Sequence, residues 1–402
     1  MPSPDAPVEQ LFCEIVAVPS PSGHERAVGE AIADWLAAAG VESAFDAAGA
    51  ENDSDAGNLI ARVPGAPGAP VLLFVAHMDT VESGAEAIRP VVDEAGAVIR
   101  SAGDTILGAD NKSAVAAVMR TLAWTAAHSD AATRPTVVAA FTCREEAGLM
   151  GVSLLGPGLL DEIDCAFSVD GSSPIGTVIT RALGQQAFSV LIRGRTAHAA
   201  ADPGAGVSAI AVAAEAIAAM QLGRLEGGGS ASIAAIAGGA VLDRLGTGET
   251  GREAVWEAIE TTPTNSVPDV VMLRGEVRGY SAEEIERARA ALGGAVADAC
   301  AARGASYEWH DRERAVPPFP GAPDSRALAL ARAACARVDA ARFAVAEAHA
   351  TLEANYLCAG TDVVALSSGG RDAHQFTESI TVGELRALEA LLCAIVAEAA
   401  AG

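Results

Sequence analysis

Residues 136–148 read "TVVAAFTCREEAG", a run of apolar and β-branched residues that stops at Arg144-Glu145-Glu146. The run has the length and composition of a buried strand. Two adjacent carboxylates at its end repel each other and are costly to dehydrate, so a solvated loop tip is the simplest account of them. Three other apolar runs end in the same fashion. Residues 71–81, "VLLFVAHMDTV", reach His77-Met78-Asp79; residues 165–170, "CAFSVD", reach Asp170; residues 362–369, "DVVALSSG", are followed by His374. Between them, residues 23–40, 112–128 and 382–400 carry alanine, leucine and valine at helical spacing. Gapless strands alternating with helices predict an α/β fold, a mostly parallel sheet with helices on both faces. Such sheets bind ligands outside the carboxyl ends of their strands, and that edge is where all four runs place an acid or an imidazole. Solvated tips alone do not explain the agreement.

The rhythm changes between residues 180 and 313. Strands at 187–193, 231–237, 269–278 and 306–312, with helices at 206–220 and 281–303, give the order β-α-β-β-α-β of a ferredoxin-like α+β unit. The expected organisation is therefore a first domain over 1–179 and 314–402, interrupted by an inserted domain over 180–313. The stretch 223–230, "GRLEGGGS", reads as a flexible connector.

Composition narrows the partners. At 402 residues the chain is long for one core, which agrees with two domains. Charged residues make up 20%, below the roughly 25% usual in soluble domains, and the net charge of −25 comes from a shortage of bases. Lys112 is the single lysine. A pI near 4.6 leaves no basic footprint for a phosphate backbone, so neither nucleic acid nor an anionic membrane is expected as a partner. The N-terminus has no basic n-region or long h-region, and no apolar stretch approaches the ~20 residues of a membrane span. Seven scattered cysteines without a CxxC pair fit reduced thiols in a cytoplasmic protein.

The groups gathered at the strand ends are His77, Asp79, Glu145, Glu146, Asp170 and His374, joined by Asp110 in "LGADNKSAV", a loop leading into a helix. Two imidazoles with several carboxylates suit divalent ions of borderline hardness, zinc first, then cobalt or manganese. Five ligands with one bridging carboxylate would make a two-metal site, whose charge would also offset the Glu145-Glu146 repulsion.

"VAHMDTV", "LGADNKSAVAAV", "FTCREEAGLMG", "VDG" and a late histidine, in this order, resemble one family over nearly the whole chain. It is the co-catalytic zinc peptidases that include peptidase T, carboxypeptidase G and succinyl-diaminopimelate desuccinylase. "GNLIARVPG" and "GRTAHAAADPGAGVSAI" look closest to the peptidase T-like branch. The resemblance implies a dizinc exopeptidase-like fold with a lid domain. It makes Asp110 the bridging carboxylate, with His77 and Asp170 completing one metal site and Glu146 and His374 the other. It makes Asp79 the group that fixes the His77 imidazole, and Glu145 the general base that activates water for attack on an amide carbonyl. It implies a cis peptide bond after Asp110. It further implies that His198, Asn265 in "TNSVPD" and Arg278 in "GEVR" bind substrate from the lid. His198 would contact the tetrahedral intermediate, often across a homodimer formed through the lid.

Taken singly, His77 also suits a hydrogen-bonded core position, Asp79 a turn cap and Arg278 a solvent-facing strand residue. Cys143 reads as packing on the buried strand, and His24, His128, His310 and His349 as surface or structural residues. The chain departs from the family pattern in residues 240–261, "AVLDRLGTGETGREAVWEAIET", where relatives pass straight to the Thr-x-x-Asn motif, and at Asn111 and Ser113, where aspartate and alanine are commoner. The expected activity is amide hydrolysis in short peptides. An N-acyl-amino-acid amidohydrolase is the close alternative, and a non-catalytic binding module the distant one. A serine hydrolase is not expected, because no G-x-S-x-G elbow occurs.

Overall fold

The four apolar runs form the strands Val71–His77, Thr136–Thr142, Cys165–Val169 and Val363–Leu366 in a computed structural model of the chain. The structure describes all residues except 83–86, 94, 129, 240, 243–251, 313, 323 and 402. Apart from Val71, every residue of these four strands is buried, which explains why the runs are apolar without alternation. They lie side by side in the order Thr136–Thr142, Val71–His77, Cys165–Val169, Val363–Leu366, all parallel. Their carboxyl ends therefore share one edge, and His77 stands opposite Thr142. Phe74 stacks on Phe167 across the central pair, with ring centroids 5.4 Å apart.

Four further strands extend this sheet to eight. Leu59–Val63 and then Glu42–Phe45 add antiparallel on one side; Thr177–Ala182 and then Ala344–Ala348 add on the other. The helices Ala109–His128, Val8–Val16 and Val382–Ala401 pack together beside the sheet and bury Val115, Leu11, Leu388 and Ile395 in a shared core. A separate three-stranded sheet pairs Ser379–Thr381 with Val98–Ser101, and Val98–Ser101 with Pro90–Val92.

The chain divides into two compact units, one made of 1–182, 319–348 and 352–402, the other of 183–318 and 349–351. The expected junction at residue 313 lies outside the described residues. In the second unit an antiparallel sheet has the order Gly223–Arg224, Ser230–Gly238, Val270–Gly279, Gly184–Arg193, Ser306–Asp311. With the helices Ala209–Ala219 and Ala282–Arg303, its four long strands have the ferredoxin-like order. Here the strands alternate: Phe188, Val190, Ile192, Val271, Leu273, Gly275 and Val277 are buried, the side chains among them with Val212, Leu292 and Val296, and the residues between them are more exposed. The longer helix starts on a Ser281 N-cap, with Glu284 reaching back to the amide before it. Ser281 Oγ accepts from Glu284 N–H, and Glu284 Oε2 accepts from Tyr280 N–H. It ends at Gly304, whose left-handed φ of 67° lets its N–H reach Cys300 C=O.

One local expectation is corrected. "GRLEGGGS" is a hairpin rather than a flexible connector, since Gly223 and Arg224 pair with Ala231 and Ser230. The turn needs glycine at Gly227 and Gly228, where φ is 89° and 90°. Of the expected insertion at 240–261, residue 240 and residues 243–251 lie outside the described residues; Arg252–Glu260 is helical, as "REAVWEAIE" suggests.

Candidate metal centre

All but one of the candidate side chains are delivered by the end of an element, and His374 comes from a loop. His77 is the last residue of its strand, Glu145 and Glu146 follow Thr136–Thr142, and Asp170 follows Cys165–Val169. Asp170 is held by its N–H on Leu366 C=O, 2.8 Å away. Asp110 enters the helix Ala109–His128 through a non-helical backbone, and its peptide bond to Asn111 is cis. His374 stands at φ 66°, left-handed and unusual for a non-glycine residue, in a loop closed by reciprocal Arg371 and Ser379 backbone bonds.

These groups converge. Asp110 offers one oxygen to each imidazole: Oδ1 lies 3.2 Å from His77 Nε2, and Oδ2 lies 3.3 Å from His374 Nε2. His374 Nε2 is also 2.9 Å from Glu146 Oε1, whereas Glu145 Oε2 is 4.0 Å from His77 Nε2. Potential ligand atoms of His77, Asp110 and Asp170 all lie within 4.8 Å of one another, and so do those of Asp110, Glu146 and His374. Those of His77, Glu145 and Glu146 form a third such group.

Buried carboxylates hold the turns. Asp79 accepts from Glu145 N–H at 2.9 Å, from Glu146 N–H at 3.1 Å and from Ser22 Oγ at 2.5 Å. Its carbonyl lies 3.0 Å from His77 Nδ1, while its carboxylate is 3.5 Å from the same atom. A backbone C=O engages Nδ1, which leaves Nε2 as the nitrogen facing Asp110 and the one free to bind a metal once its proton is displaced. Glu25 accepts from Arg144 N–H and Gly23 N–H with one oxygen and from Ser54 Oγ with the other. Asn111 donates to Val169 C=O, joining the start of the Asp110 helix to the strand that delivers Asp170.

A model of peptidase family M20/M25/M40 matches residues 73–398. The chain belongs to this family. Aminopeptidase PepT from Bacillus cereus superposes with a TM-score of 0.85 at 28% identity, over 98% of each chain. A tripeptidase from Staphylococcus aureus does so with 0.85 at 26%, also over 98% of each. An uncharacterized Bacillus subtilis protein, YqjE, is 27% identical over 97% of each chain. The protein is thus a peptide- and amide-bond hydrolase of the peptidase T-like branch of M20/M25/M40.

Does this M20/M25/M40 centre suit metal ions? His77 Nε2 and Asp110 Oδ1 are buried and have no aligned hydrogen-bond partner among the described residues. Such atoms are costly unless something else binds them. The charges point the same way. Burial, then the Asp110 charge, pushes the Asp170 carboxyl up to about 7. Burial also lifts Glu145 well above the usual carboxylate range, and Glu146 upward. Hydrogen bonding to Asp110, then the Glu146 charge, holds the His374 imidazole up at about 9. Burial opposes the His77 imidazolium, yet Glu145, Asp110 and Asp79 outweigh it and raise its pKa. Protons are neutralising a surplus of buried negative charge, and a divalent cation would displace them.

Four residues around the centre escape sequence reasoning. Glu353 is fully buried, accepts from Thr142 Oγ1 at 2.5 Å and is pushed by burial up to about 7. Glu25 and Glu378 bind backbone amides, and Lys112 Nζ donates to Ser20 Oγ at 2.7 Å. Burial lowers the Lys112 pKa to about 8, against the charges of Asp79, Glu25 and Glu378. Only Lys112, the sole lysine and inside a quoted motif, carried any signal.

The expected lid residues lie in the second unit. His198 and Asn265 are exposed on neighbouring segments, for His198 bridges Ser266 and Ala199 N–H donates to Asn265 C=O. His198 Nδ1 accepts from Ala200 and Ala201 N–H, which leaves Nε2 as the ring nitrogen able to donate. Arg278 is at the other end of Val270–Gly279, paired with Glu276 at 2.7 Å.

Proposed function

We propose that this chain is a two-metal exopeptidase that hydrolyses the peptide bond of short peptides, with Glu145 as general base. The observation that carries the reading is Asp110, whose two oxygens face two different imidazoles. His77, Asp110 and Asp170 would hold one ion and Asp110, Glu146 and His374 the other, zinc being favoured by mixed imidazole and carboxylate donors. When bound, such ions polarise a carbonyl and acidify water. Glu145 takes the proton of the attacking water and returns it to the leaving amine. Burial raises its pKa above the usual carboxylate range, which strengthens it as a proton acceptor. Asp79 aims Glu145 and Glu146 by gripping both of their amides. His198, Asn265 and Arg278 bind the substrate, His198 donating from Nε2 to the developing oxyanion.

The names of the two similar solved structures, an aminopeptidase and a tripeptidase, support short peptides as the substrate class. A homodimer formed through the second unit and a cytoplasmic setting complete the proposal; among the described residues, no helix is long and apolar enough to cross a membrane. A panel of tripeptides, dipeptides and N-acetyl amino acids, assayed on the metal-loaded protein, tests the reading. Highest kcat/KM on tripeptides is expected, and a preference for N-acetyl amino acids would overturn it in favour of an amidohydrolase.

A further inference from the structure

We infer that Glu378 is a positioning residue that locks the Asp110 loop to the His374 loop and so fixes both sides of the metal centre. This rests on the two-metal reading above. Glu378 is 2% exposed, and its carboxylate gathers three backbone amides from one short stretch. Oε2 accepts from Leu107 N–H at 2.8 Å and from Gly108 N–H at 2.6 Å, and Oε1 accepts from Asp110 N–H at 3.0 Å.

The stretch has a need that the carboxylate meets. Residues 107 and 108 precede the helix, and Asp110 is in its first turn, where N–H groups have no intrahelical acceptor. Buried amides without partners would cost stability, and an isolated buried carboxylate would cost more. Each satisfies the other. The anchor is also placed to couple two loops. Glu378 sits at the base of the loop that carries His374, since Ser379 and Arg371 close it and Glu378 N–H bonds Gln375 C=O. One side chain therefore ties the backbone of Asp110 to the loop whose imidazole lies 3.3 Å from Asp110 Oδ2. A glutamine has one acceptor oxygen, so in Glu378→Gln either the Leu107–Gly108 pair or Asp110 must face an amide NH2 instead.

Cobalt(II) is the probe, because its visible absorption reports coordination geometry and chelator competition reports affinity. Three proteins are compared: wild type, Glu378→Gln, and Leu392→Ala as a core variant that lowers Tm without altering a polar group. Glu378→Gln should bind Co(II) 10–100-fold more weakly, the range for a lost outer partner of a ligand, with a changed spectrum. Leu392→Ala should lower Tm yet keep both. Folded Glu378→Gln with wild-type affinity and spectrum would overturn the inference while leaving the metal reading intact. Failure of the wild type to take up Co(II) would instead sink the metal reading. Hydrogen exchange in the metal-free wild type tests the clasp without any ion or variant. Slow exchange at the Leu107, Gly108 and Asp110 amides is expected, and exchange as fast as in an open loop would overturn it.

Discussion

Asp110 presents an oxygen to each of two imidazoles, Glu146 touches the second imidazole, and Glu145 stands 4.0 Å from the first. The neighbouring glutamates thus have separate surroundings, and their variants should differ. Glu145→Gln is expected to keep its metal content and lose hydrolysis by about 10²–10⁴-fold, the range of a general base. Glu146→Gln should lose metal from one site as well as activity, and exchanged phenotypes would reverse the two roles. The protonation states give a pH prediction. Asp170 and Glu353, raised to about 7, and His374, raised to about 9, bind more protons when folded than unfolded over pH 5–8. Groups with raised pKa lose their stabilising contribution as pH climbs through the folded value, so Tm of the metal-free protein should fall from pH 5 to pH 8. Added metal should restore more at pH 8 than at pH 5, because its ligands must shed protons. Calorimetry with and without chelator checks this, and a metal-free Tm that rises over the window contradicts it. The convergence of the acids and imidazoles at the strand ends was legible because parallel strands bring their carboxyl ends to one edge. Glu25 and Glu378 were not, because a carboxylate that clasps backbone amides can come from any loop the fold brings near, and neither was Glu353, whose buried carboxylate meets a Thr142 hydroxyl from far along the chain.

The long elements were legible from periodicity, and the short ones were not. Four mostly apolar runs without alternation became adjacent, buried parallel strands, and alternation in the second unit became a half-covered antiparallel sheet. Glu42–Phe45 and Ala344–Ala348 are the sheet's edge strands and are largely exposed, so pairing to a neighbour rather than burial makes the strand. The glycines of "GRLEGGGS" were read for flexibility, although positive φ in a tight hairpin is an equal reason for glycine. The Ser281 N-cap offers a test at this scale. Ser281→Ala removes the acceptor for Glu284 N–H and should cost about 1 kcal/mol, read as a shift in the denaturation midpoint of the second unit. No shift would mean that packing of Leu292 and Val296 alone defines the helix start.

At the scale of the molecule, ordered motifs spread from residue 75 to His374 pointed to the family whose model matches residues 73–398. Each motif is short, and its force came from order, since one sheet edge must receive side chains from distant parts of the chain. The second unit carries the exposed His198 donor, and His198→Ala should leave metal content unchanged while lowering kcat by about 10²–10³-fold, as for loss of an oxyanion donor. Loss of metal in that variant would assign His198 to the centre itself. The central claim is that Asp110 joins two ions in one site. Elemental analysis of the fully loaded, desalted protein tests it most directly: the account predicts about two divalent ions per chain, and a value of one would contradict it.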